Sequence, residues 1–127
     1  AMEINFKSSH ADEEEAEIYA KGTVLAERKL RALKKYFVRN NTVTYVYVEF
    51  GKETEAHHSG AIWKVQINLD SLGKRYHSKA VADRIETAVE MAVSQLETEA
   101  RTAKSKSKEI LRSGGRVVKG LLKGLGA

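Results

Sequence analysis

The 127 residues carry 22 Lys and Arg against 17 Asp and Glu, with no Cys and no Pro. A chain of this length builds one domain of ordinary size and leaves little room for a second core. Lack of Cys excludes disulfides, thiol nucleophiles and thiolate metal sites; no apolar run approaches the roughly 18 residues of a membrane span; and the N-terminus lacks a basic-then-apolar leader, so a cytoplasmic protein is expected.

Met2, Ile4 and Phe6 alternate with Glu3, Asn5 and Lys7, the pattern of a strand with one buried face. Ser9 or Asp12 caps the next element, because a short side-chain oxygen there accepts from the free amides of a Glu-rich first turn. A helix is expected from about Asp12 to Phe37. At about 100° per residue, Ala16, Tyr19, Ala20, Thr23, Ala26, Leu30, Leu33 and Phe37 form its core face, with Lys21, Arg28, Arg31, Lys35 and Arg39 on the other side. Gly22 costs such a helix roughly 1 kcal/mol relative to Ala and marks a kink or a close approach.

Thr42 to Phe50 is rich in β-branched and aromatic residues and reads as the second strand, followed by a polar, turn-like segment, Gly51 to Gly60. In a third strand Trp63, Val65, Ile67 and Leu69 alternate with Lys64, Gln66, Asn68 and Asp70. Ser71-Leu72-Gly73 leads into a fourth, Lys74 to Ala80, whose Arg75, His77 and Lys79 form a basic outer face opposite Tyr76 and Ser78. From about Asp83 a second helix keeps Val81, Ile85, Ala88, Val89, Ala92, Leu96, Ala100 and Ala103 in helical register and, with no Pro to stop it, runs to about Ser113. The order β-α-β-β-β-α predicts an α+β fold: a four-stranded sheet, its later strands an antiparallel meander, with two helices on one face.

Charge is segregated along the chain. Asp12 to Glu17 sums to −5, Lys21 to Arg39 to +6, Asp83 to Glu99 to −4 and Arg101 to Lys123 to +7. Acids early and bases late in a helix also suit its dipole, and solvated helix faces produce the same stripes. Steps of three or four residues nevertheless put Arg101, Lys104, Lys108 and Arg112 on one line, an arrangement suited to neutralising the phosphates of a nucleic acid. Beyond them, residues 113–127 form a basic amphipathic tail with Arg116, Lys119 and Lys123 among Val117, Val118, Leu121, Leu122 and Leu125. Its four glycines weaken any helix, and it is read as an arm that orders on RNA rather than as a membrane helix. His57-His58 lacks the convergent partners of a metal site, no phosphate-cradling Gly loop is present, and no nucleophile, base and acid trio can be assembled. The expectation is therefore no metal, no cofactor, no small-molecule substrate and no enzyme.

Several stretches resemble the ribosome hibernation promoting factor family, also called ribosome-associated inhibitors or ribosomal subunit interface proteins. They are Val48 to Thr54, His57-His58 with Gly60, Ile62-Trp63-Lys64 and Asn68-Leu69, Leu30 to Phe37, Ala88 to Leu96 and Arg112 to Leu122. The resemblance implies a fold like that of double-stranded RNA-binding domains over residues 2–112. It also implies a protein that occupies the decoding channel of the small ribosomal subunit, contacts ribosomal RNA and inhibits translation under stress. A general RNA-binding regulatory module with another target is the alternative. Candidate RNA contacts are Lys21, Arg28, Arg31, Lys35, Arg39, Lys79, Arg101, Lys104, Lys108, Arg112, Arg116, Lys119 and Lys123, with Lys52, His57 and His58 in a candidate contact loop; Lys35 and Arg101 match family positions. Gln95 and Thr98 flank Leu96 where the family often has Lys and Arg, and the first helix is about two turns longer than the family's. The free protein is expected to be a monomer.

Overall fold

The computed structural model describes residues 1–9, 12–37, 42–53 and 62–112, with side chains as far as 103. The regular elements are β1 (Met2–Ser8), α1 (Glu13–Ala32), a single turn α2 (Lys34–Phe37), β2 (Thr44–Lys52), β3 (Trp63–Ser71), β4 (Lys74–Ala82) and α3 (Ile85–Arg112). The expected α+β order is present. One correction concerns the first helix, which is divided: Leu33 donates its amide to the Leu30 carbonyl at 2.9 Å, a three-residue closure of the kind that tightens helix ends. Val81, expected in the second helix, lies in β4.

Strand order is β1-β2-β3-β4. β1 and β2 run parallel, Met2 opposite Thr44 and Ser8 opposite Phe50, because α1 returns the chain to the end of the sheet where it began. β2, β3 and β4 form the antiparallel meander, with Val48 opposite Ile67 and Ile67 opposite Ser78. The β3–β4 connection is two residues, Leu72 at φ 52° and Gly73 at φ 78°, the doubly left-handed turn that matches strand twist. Glycine takes that conformation freely; Leu72 takes it at a cost and with its side chain in solvent.

Alternation holds along the strands. Val46, Val48 and Phe50 of β2 and Val65, Ile67 and Leu69 of β3 are buried under the helices, while Tyr45, Tyr47 and Glu49 point to the open face. Asp12 is the cap of α1, its Oδ1 accepting from the Glu15 amide at 2.8 Å; Ser9 instead hydrogen-bonds the Tyr19 hydroxyl at 3.2 Å. In the N-terminal half of α1, Tyr19 packs on Phe50 and edge-on to Trp63. Ala16 and Ala20, expected in the core, are exposed, because among the described residues β1 is the edge strand and no strand beyond it underlies that flank of the helix.

Gly22 marks a close approach. A Cβ there would meet Ile85 Cγ1 at 2.9 Å and the Phe50 ring at 3.1 Å, so only glycine lets α1, α3 and β2 converge. Farther along, Arg101 Nε donates to the Tyr36 hydroxyl at 3.3 Å. Contact at residues 22 and 85, then again at 36 and 101, means that the helices run parallel with their C-terminal ends together.

That end is held by a buried polar clasp. The Phe37 carbonyl accepts from Thr44 Oγ1 at 2.9 Å and from Ser71 Oγ at 2.7 Å, with both hydroxyl residues buried. Two strands thereby satisfy one of the carbonyls that a helix end leaves open. Because Thr44 and Ser71 share an acceptor, Thr44→Val or Ser71→Ala alone should cost about 1 kcal/mol of unfolding free energy, and the pair together should cost more than the sum of the two, since only then is the carbonyl orphaned. Denaturant unfolding of the four proteins measures this coupling; strict additivity would contradict it.

Candidate nucleic-acid interface

Lys21, Arg28, Arg31 and Lys35 are all exposed, on the side of α1 and α2 opposite buried Ala26, Leu30, Leu33 and Phe37. Arg31 is braced by Glu27 one turn back at 3.3 Å, and Lys35 sits 5.3 Å from the centroid of the Tyr36 ring. Side chains at one-turn spacing on a solvent-facing ridge can each meet a different phosphate.

Arg101 joins this ridge to α3. Its guanidinium bonds the Tyr36 hydroxyl through Nε and Glu97 Oε1 at 2.7 Å through a terminal nitrogen. The Arg101 hydrogen bond, reinforced by the Lys35 and Arg101 charges, holds the Tyr36 phenol below its usual range, and the same bond raises Arg101 above its own. The result is a Lys35, Tyr36 and Arg101 unit in which an aromatic ring is clamped between cations from two elements. Such a unit can present charge to a phosphate and a ring edge to a sugar or base. The residue pattern alone does not single out Tyr36; its position beside the last core residue, Phe37, is the available signal.

Other candidates lie elsewhere. Lys79 is on β4, its Nζ 3.7 Å from Glu53, and Lys52 is near the opposite end of α1, bound to Glu15 at 3.4 Å and lying 5.4 Å from the Trp63 centroid. Neither is brought to the Tyr36–Arg101 unit. Lys104, Lys108 and Arg112 belong to the C-terminal half of α3, whose backbone continues beyond Arg101. Arg39, His57, His58, Arg116, Lys119 and Lys123, like the tail 113–127, fall outside the described residues. Among the described residues no cluster of three metal-ligating side chains occurs, and no helix is long and apolar enough to cross a membrane.

Gln95 and Thr98, the two departures flanking Leu96, have defined roles. The Gln95 amide pairs with both backbone groups of Lys79, donating to its carbonyl at 3.1 Å and accepting from its N–H at 3.4 Å, so it covers the outer edge of β4. Thr98 bonds the Ser94 carbonyl in its own helix at 3.0 Å. Gln95 therefore serves the sheet at a place where a cation would face solvent.

The fold is a helix-backed β-α-β-β-β-α sheet, and known structures share that fold. A ribosomal subunit interface protein from Coxiella burnetii superposes with a TM-score of 0.61 at 18% identity, covering 82% of this chain and 99% of that one. The N-terminal domain of Protein Y from Thermus thermophilus superposes with a TM-score of 0.60, also at 18% identity, over 80% of this chain and 98% of that one. The sequence matches no family model and no curated protein.

The clamp yields a spectroscopic expectation. Followed by carbon NMR with Tyr36→Phe as the assignment control, the Tyr36 phenol should titrate below the ordinary tyrosine value of about 10. Arg101→Gln should return it toward that value; a Tyr36 titration unaffected by the substitution would show that the contact is not made.

Proposed function

We propose that residues 2–112 form a non-enzymatic ribosome-binding domain, cytoplasmic, that contacts ribosomal RNA of the small subunit, occupies the decoding channel and so inhibits translation. The observation that carries this reading is the convergence of two parallel helices on the Lys35, Tyr36 and Arg101 unit, with the α1 ridge leading into it, on a fold shared with a ribosomal subunit interface protein. Parallel packing gathers at one end the charges that the sequence scatters over two segments far apart. The basic half of α3 and the tail 113–127 extend the same charge, and the tail adds affinity by ordering on RNA. The reading needs neither a cofactor nor a metal.

Ribosome binding by the full chain should fall when Arg28, Arg31 and Lys35 are all reversed to Glu. The chain should still fold, because none of the three is buried. Loss of three phosphate contacts should reduce the log–log salt dependence of binding by roughly two to three units. Sedimentation with purified ribosomes at several salt concentrations provides the measurement, with small subunits and a non-ribosomal RNA as parallel targets. Undiminished ribosome binding by the triple variant would exclude the ridge; equal affinity for every RNA would favour a general RNA-binding module instead.

A further inference from the structure

The two edges of the sheet are treated differently. β4 is covered at Lys79 by the Gln95 amide, whereas among the described residues no strand pairs along the outer side of β1. Two bonds at the ends of β1 fix which of its backbone groups are free: Ser9 donates to the Phe50 carbonyl at 3.0 Å and Ala1 accepts from Thr44 at 2.8 Å. Odd-numbered residues therefore direct their N–H and C=O toward β2, and Met2, Ile4, Phe6 and Ser8 direct theirs outward. A row of outward donors and acceptors is a template for another strand.

The side chains specify which strand. Glu3, Asn5 and Lys7 are exposed on the open face, and among the described residues neither Glu3 nor Lys7 has an ion-pair partner. An antiparallel pairing of β1 with a second β1, centred on Asn5, places Glu3 of each copy opposite Lys7 of the other. The same register sets Ile4 opposite Phe6 and Met2 opposite Ser8, all residues with outward backbone groups, as an antiparallel ladder requires. Moving the centre to Ile4 or to Phe6 loses the charge match, and centring between residues would oppose inward with outward groups. One register alone satisfies both the hydrogen bonds and the charges.

The covered flank agrees. Above β1 lies an open cleft of about 210 Å³ lined by Phe6, Ala16, Tyr19, Ala20 and Thr23, and Ala16, Ala20 and 71%-exposed Val24 recur every four residues along that flank of α1. A two-fold axis through Asn5 and normal to the sheet runs α1 antiparallel to its copy. We propose that this chain forms a two-fold dimer through β1, joining two four-stranded sheets into one of eight strands. This departs from the monomer expected on sequence grounds and stands independently of the ribosome reading.

Charge exchange and cross-linking test it on the full, nuclease-treated chain. In sedimentation equilibrium over a wide concentration series, the protein should dimerise. Glu3→Lys and Lys7→Glu should each weaken the dimer by about tenfold or more, since each replaces two attractive cross-strand pairs by two repulsive ones, and the double swap should restore it. Because the chain has no Cys, Asn5→Cys provides a second test: on the axis, a non-hydrogen-bonded pair has Cα atoms about 4.5 Å apart, within disulfide range. Asn5→Cys should oxidise to a covalent dimer far faster than Glu3→Cys or Lys7→Cys alone, and a mixture of those two should cross-link as heterodimers. A monomer at every concentration, as expected if the edge serves a strand of another protein, would overturn the proposal, as would single charge variants that dimerise like the parent or an Asn5→Cys rate no greater than its neighbours'.

Discussion

One carbonyl, that of Phe37, fastens the helical turn α2 to the sheet and so determines what that end of the helical segment can do. Thr44 and Ser71 approach it from the adjoining ends of the two central strands, so the last turn of the helical segment is fastened to that end of the sheet rather than left to fray. Lys35 and Tyr36 lie within two residues of this point and inherit its rigidity. A few kcal/mol of buried hydrogen bonding thus sets the position of side chains that are themselves in solvent, where their own contacts are worth little in stability. The aromatic contact of Phe37 with Tyr76, ring centroids 5.1 Å apart, carries the same fastening across to β4.

Helix polarity then organises the electrostatics. α1 opens with Glu13, Glu14 and Glu15 beside its Asp12 cap and closes with Lys29 and Arg31, an order that complements its macrodipole. Parallel packing against α3 superimposes two such gradients instead of cancelling them. Gly22 is what allows this packing to be close, since any side chain there would separate α1 from Ile85 and Phe50. Local helix chemistry and the long-range field of the molecule are consequently the same feature at two scales: residues that stabilise individual helices also give the domain one acidic and one basic end.

Much of this was legible in the residue pattern because period-two and period-3.6 hydrophobicity are local signals. The strand Trp63 to Ser71 alternates almost without fault, and Ala88, Val89, Ala92 and Leu96 announce the buried face of α3 directly. Ala16 and Ala20 misled for a physical reason: periodicity tells which side of a helix turns toward the sheet, not whether the sheet extends beneath it. The union of Tyr36 with Arg101 required knowing that the helices are parallel and in register, a relation between segments separated by 65 positions that no local pattern encodes. Gln95 was conspicuous only as a missing cation. Its bond to the backbone of Lys79 became readable once β4 was seen to be an edge.

The unequal edges give the sheet a direction of growth. An amide side chain occupies the middle of one margin, and the other margin, uncovered by any strand among the described residues, carries charges that match their own rotated image. A sheet with two open margins can add copies without end, which is the geometry of filaments, whereas one with a single open margin is exhausted by its first partner. Gln95 therefore bears on valence: by taking both outward backbone groups of Lys79 it interrupts the row of donors and acceptors that a further strand would need along β4.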